Sequence, residues 1–99
     1  MKKSRVVVTR TSGQLAKALG LTPADGAEIE LRSTLNSKIV EAVNRKGLTH
    51  AQVARLASTS RTRVTAIMNR NTSHISTDLL LRVLYALGYT AKISFKSAA

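Results

Sequence analysis

Residues 48–70 read LTHAQVARLASTSRTRVTAIMNR, and their spacing predicts two short helices joined by a turn of about three residues. Thr49 followed three positions later by Gln52 is a capping-box pair at the start of the first helix. Val53, Ala54 and Ala57, with Leu56 at the border, make its apolar stripe, and the two small alanines let another helix approach closely. Helix propensity falls at Ser58-Thr59-Ser60, where hydroxyls compete for backbone groups. Ser60 is placed to cap a second helix with Val64, Ile67 and Met68 on its buried face and Arg61, Thr62, Thr65, Ala66 and Asn69 outward. No Asp or Glu lies between residues 42 and 77. Two helices in this relation, the second with a basic exposed start, have the geometry that lays a helix in a DNA major groove.

Outward from this pair, Thr22-Pro23-Ala24-Asp25 opens a longer helix, with Thr as cap, Pro first and an acid in the first turn. Leu31, Leu35, Ile39 and Val43 recur every four residues toward Lys46, with Val40 in support, and Gly47 ends the helix. Arg45 and Lys46 complement its C-terminal dipole. Downstream, Arg70 to His74 is a polar loop, and Ser76 caps a helix that turns Leu79, Leu80, Val83, Leu84 and Leu87 to the core. Ile75 is placed to staple against Leu80, and Gly88 is the stop. Near the N-terminus, Ser12 to Leu19 is a short helix stopped by Gly20, and Arg5 to Arg10 is β-branched and strand-like. Tyr89 to Phe95 alternates with period two, as a half-buried strand does. A lone strand is unstable, so its partner is either Val6 to Thr9 of the same chain or the same tail of a second subunit, with the dimer preferred.

Ninety-nine residues with 43% hydrophobic content suit one small domain. Tyr85, Tyr89 and Phe95 are the only aromatics, so the core must be aliphatic. Sixteen Lys and Arg against five Asp and Glu give a net charge of +11. Four of the five acids lie within residues 25–41, and from residue 42 onward Asp78 is the only one. This asymmetry favours a polyanionic partner over a merely solvated basic surface. There are no cysteines, which excludes a disulfide framework and a Cys-based zinc finger. Two histidines, His50 and His74, and isolated glycines offer neither a metal site nor a phosphate loop, and no nucleophile-base-orienter set can be named. An enzyme, a metal or another cofactor is therefore not expected. Nor is a membrane partner: no apolar run reaches a membrane span, and a cytoplasmic, nucleoid-associated location is expected.

Leu48, Thr49, Ala54, Ser60, Val64, Thr65 and Asn69 match the helix-turn-helix pattern of the phage repressor and Cro-type (XRE) superfamily, which this stretch resembles. From Leu19-Gly20-Leu21 through Leu87-Gly88 the chain is similar to the subgroup that includes HigA-type antitoxins, in which a long helix precedes the motif and a helix like Ser76-Thr77-Asp78-Leu79-Leu80 follows it. His50 stands where the family has Gln, Ser58 where it has a turn Gly, and Arg70-Asn71 where Gly follows Asn69. Because Gly supplies positive φ, the last two imply adjusted turns. The expected fold is an all-α, five-helix, phage-repressor-like domain, with short N- and C-terminal β-strands read from the β-branched and alternating ends. Residues 1–11 would be a basic arm or strand, 12–88 the helical helix-turn-helix domain, and 89–99 a C-terminal strand and tail.

Arg61, Thr62 and Thr65 are then the candidate base readers, since Arg bonds a guanine edge and Thr offers a hydroxyl and a methyl. By the same resemblance His50 lies beside the DNA backbone and the first reader, unless it is only an exposed first-turn residue. Ser60 caps the reading helix. Arg63 fits phosphate contact or tethering of the turn. Asn69 and Arg70 fit phosphate at the helix end, with C-capping as the alternative for Asn69. Ser76 and Thr77 resemble a second phosphate-anchoring cap. The expected function is a homodimeric, sequence-specific repressor of double-stranded operator DNA, and by resemblance an autoregulating antitoxin that binds a RelE-like toxin. A stand-alone regulator of a phage or mobile element is the alternative, because a +11 chain meets a basic toxin only through its acidic long helix, around Glu28, Glu30 and Glu41. A nonspecific architectural DNA binder is a third reading, disfavoured by the lack of an intercalating wedge.

Overall fold

Thr22 starts the first helix through a reciprocal pair of bonds. Its hydroxyl accepts from the Asp25 N–H at 3.1 Å, while the Asp25 carboxylate accepts the Thr22 N–H at 3.0 Å. These bonds from Thr22 hold the Asp25 carboxyl below its ordinary range. The computed structural model describes residues 22–97, and there the chain forms α1 Pro23–Lys46, α2 His50–Leu56, α3 Arg61–Met68 and α4 Thr77–Ala86. Each helix opens on a hydroxyl cap, Thr22, Thr49, Ser60 and Ser76 in turn, and Gln52 completes a second capping box at Thr49.

The four helices also end alike. Leu48 N–H returns to the Val43 carbonyl, Thr59 to Ala54, Asn71 to Ala66 and Tyr89 to Leu84, each with the companion bond one residue inside. This Schellman arrangement needs a left-handed residue just past the helix. Those residues are Gly47 (φ 64°), Ser58 (φ 55°), Arg70 (φ 58°) and Gly88 (φ 92°). The two turns that bracket α3 thus use side-chain-bearing residues where glycine is cheapest, as the departures at Ser58 and Arg70 implied.

α1 packs on α4 and α3, and α2 packs on α3 and α4. Ile39 and Val43 of α1, Val53 of α2, Val64 and Ile67 of α3, and Leu80 and Val83 of α4 are the largest fully buried side chains. Ala42, Ala54 and Ala57 are buried among them, and their small side chains let neighbouring helices approach closely. Two polar side chains of α1 tie down the later elements. The buried Asn36 Nδ2 donates to the Ile67 carbonyl at 2.9 Å. Arg32 donates to the Thr72 carbonyl at 2.7 Å, to the Ile75 carbonyl, and to Thr77 Oγ1 at 3.0 Å, fastening the α3–α4 loop.

Several expectations are corrected. The five-helix architecture with terminal strands is not what forms: the described residues hold four helices and no strand. The helix at Ser12 to Leu19 and the strand at Arg5 to Arg10 lie outside the described residues. The tail from Tyr89 to Phe95 has the alternation of a strand but no neighbouring strand to complete a ladder, and residues 90–97 are exposed throughout. Only Tyr89 is drawn in: it packs against the core, its hydroxyl accepts from Arg45 Nη2, and Lys38 Nζ stands 4.6 Å from its ring centroid. Leu31 is 40% exposed, because a four-residue repeat drifts around a 3.6-residue helix and leaves the packed face. Ala66, expected outward, is half-buried against the core.

Replacing Ser58 by Gly removes a left-handed Cβ from an otherwise complete Schellman turn. We expect Ser58→Gly to stabilise the domain by about 0.5–1 kcal/mol, less than the full left-handed penalty because Gly also loosens the unfolded chain. Urea denaturation would register this as a higher midpoint at unchanged slope. A lower midpoint would show that the Ser58 side chain supports the turn.

Candidate nucleic-acid interface

The first turn of α3 is the most exposed part of the helix pair. Arg61, Thr62 and Arg63 all face solvent, while Val64 and Ile67 on the opposite side are buried at 1% and 0% exposure. This division comes from the 3.6-residue period: the two apolar anchors fix the helix azimuth, and the residues before them must point away. Ser60 Oγ accepts the Arg63 N–H at 3.1 Å, so the hydroxyl keeps its own proton to donate outward. No described residue pairs with the guanidinium of Arg61 or Arg63. Both stay available to guanine edges or phosphate oxygens.

His50, the first residue of α2, reaches across to the reading helix. Its Nδ1 lies 2.8 Å from Thr65 Oγ1, and both residues are partly buried. The structure therefore joins one expected backbone contact to one expected base reader. At the far end of α3, Asn69 is the C-cap and Arg70 the left-handed residue after it. Arg70 Nη1 donates to Ser37 Oγ at 3.1 Å, so α1 aims this guanidinium. At the next helix Ser76 Oγ accepts the Leu79 N–H at 3.1 Å, and Thr77 Oγ1 accepts from Arg32. Both hydroxyls again retain a donor. His74, read as a plain loop residue, is exposed.

The reading of the sequence missed Arg32, Asn36 and Ser37, which carry no signal of a site on a long amphipathic helix. The three partners of Arg32 lie 40 to 45 residues away in the chain. Charge is segregated by the same packing. The acids other than Asp78 belong to α1, where Asp25 is engaged in its own cap and Glu41 pairs with Lys38 at 2.9 Å. The hydrogen bond and charge of Lys38 hold the Glu41 carboxyl below its ordinary range. The segment from α2 to the start of α4 has no acid to repel a phosphate backbone. Among the described residues no helix is long and apolar enough to cross a membrane.

Comparison with protein families matches residues 14–96 to a family described as a helix-turn-helix domain, which covers most of the chain and marks it as DNA-binding. Comparison with curated proteins and with solved structures returns no match. Arg61→Ala should cost about 1–3 kcal/mol on a preferred duplex and relax preference at one base position. Arg70→Ala should weaken every duplex alike and lower the salt slope by about one. Titration of both variants against preferred and scrambled duplexes at several salt concentrations reads the difference. Equal losses on both DNAs for Arg61→Ala would remove it from base reading.

Proposed function

The chain belongs to the helix-turn-helix domain family, and from that premise we propose that it is a sequence-specific repressor that binds operator DNA as a homodimer in the cytoplasm. The observation that carries this reading is the exposed, acid-free first turn of α3, with Arg61, Thr62 and Arg63 turned away from the Val64 and Ile67 anchors. A nonspecific architectural binder needs a basic surface but not a helix with unpaired readers on one face. Repression would work by occupancy, with two recognition helices in successive major grooves one helical turn apart. The chain itself has no catalytic role in this reading.

Exposed apolar side chains support the dimer. Tyr85 is 71% exposed, Ile93 60% and Phe95 94%, and Tyr85 and Ile93 line one groove between α4 and the tail. Such a surface is costly to leave in water. The double variant Ile93→Glu, Phe95→Glu changes exposed positions only. It should sediment as a monomer and lose binding to two-half-site duplexes while keeping weak half-site binding. A variant that remains dimeric would move the interface elsewhere.

We further propose that the operator controls a toxin-antitoxin pair, with a basic RelE-like toxin docking along α1. Glu28 is the exposed acid of that helix without a cap or ion pair to Lys38, and Glu30 lies two residues on. The engagement of Asp25 and Glu41 within α1 reduces the acidic surface left for such a partner. That favours the second reading, a stand-alone regulator of a phage or mobile element. Reversing Glu28 and Glu30 to Lys should abolish growth rescue from a co-expressed neighbouring toxin while leaving operator binding intact. A neighbouring gene that does not inhibit growth would leave the stand-alone regulator in its place.

A further inference from the structure

The contact between His50 Nδ1 and Thr65 Oγ1 at 2.8 Å joins the start of α2 to a half-buried position on α3. It has chemical content beyond holding two helices together. A threonine hydroxyl has one proton to donate and lone pairs that accept, so a free one suits any base edge. Thr34 in α1 shows the usual outcome in a helix: its hydroxyl donates to the Glu30 carbonyl one turn earlier, at 3.0 Å. Thr65 is bonded to a ring nitrogen instead. Which of the two donates depends on the tautomer of the imidazole, and the tautomer is set by what the other ring nitrogen meets.

Resting on the reading above that His50 stands at the DNA backbone and Thr65 faces bases, we propose that His50 is a positioning residue that sets the hydrogen-bond polarity of Thr65. A phosphate oxygen accepts and never donates, so a neutral imidazole beside it carries its proton on Nε2. Nδ1 is then the acceptor, and the Thr65 hydroxyl donates its only proton to it. Toward the groove Thr65 Oγ1 has lone pairs alone, so the base it faces must supply a donor. In the major groove that donor is the exocyclic amine of adenine or cytosine, while guanine and thymine present acceptors at the corresponding positions. The backbone contact and the base choice become one device, with phosphate at one nitrogen and specificity at the other.

The test uses the full chain and duplexes selected by it from a randomised pool at about pH 8. The wild-type protein should favour adenine or cytosine by roughly tenfold at one position of each half-site. Thr65→Val removes the hydroxyl at nearly constant shape and should flatten that position. His50→Ala should flatten the same position, because the freed hydroxyl either donates back along the helix or donates outward, serving both base classes. His50→Asp retains an acceptor near the place of Nδ1 that cannot donate. It should weaken binding to all duplexes through its charge yet keep the preference, a split that loss of fold would not produce. If His50→Ala lowers affinity uniformly and the preference survives, His50 only contacts phosphate and the proposal is overturned, while Thr65 stays a reader. If Thr65→Val changes no position, Thr65 does not face a base, and both the reading of the site and the proposal fall.

Discussion

An eight-residue helix has almost no stability of its own in water, since so few backbone bonds must offset the cost of nucleation. α3 exists because others hold it, and they do so without covering its exposed first turn. The solution is to take hold of it from behind and below. Val64 and Ile67 are sunk in the aliphatic core, and the Ile67 carbonyl accepts from Asn36, a buried side chain of α1. A buried amide left without that carbonyl would cost about 1–3 kcal/mol, so the bond specifies the position of α3 as well as supporting it. The hydroxyl cap at Ser60 and the Schellman turn at Arg70 close the two ends. With azimuth, ends and depth all set, the first turn is free of structural duties.

Most of this framework is legible in the sequence because it is local. Caps are read from a hydroxyl at the right offset, and Thr22, Thr49, Ser60 and Ser76 all cap their helices as spacing predicts. Stops are read from Gly47 and Gly88, and the glycine departures at Ser58 and Arg70 mark the two other left-handed positions. What escaped depends on groups far apart in the chain. Asn36 and Arg32 find carbonyls and a hydroxyl that only tertiary packing brings within reach. The tail misled for the same reason. Alternation at residues 89–95 describes one face of a strand, but a strand is a property of two segments, and the described residues supply only one. The His50 to Thr65 bond shows the middle case, where each residue could be named as a candidate from sequence and their coupling could not.

Electrostatics divides the domain along the same lines. α1 balances its four acids, Asp25, Glu28, Glu30 and Glu41, with Arg32, Lys38, Arg45 and Lys46, and Glu41 pairs directly with Lys38. The net charge of +11 therefore lies outside α1, and between Gly47 and Gly88 five arginines stand against a single acid, Asp78. Long-range attraction to a polyanion needs no design at single positions, and falls with salt. In the proposed reading, discrimination among sequences rests on a few side chains that are positioned by neutral, salt-insensitive contacts. In that reading affinity and selectivity come from separable parts of one small fold.

The aromatic residues all lie outside the hydrophobic interior, and Tyr89 is the one that touches it. With no tryptophan in the chain, ultraviolet absorbance and emission come from two tyrosines, one of them exposed on α4. The interior is consequently optically silent. The Tyr89 part of that signal reports whether its ring remains seated among Lys38, Arg45 and Lys46 at the edge of the core. Backbone circular dichroism and tyrosine emission therefore track two different events in this molecule, and their coincidence or separation on heating measures how tightly the tail is coupled to the helices.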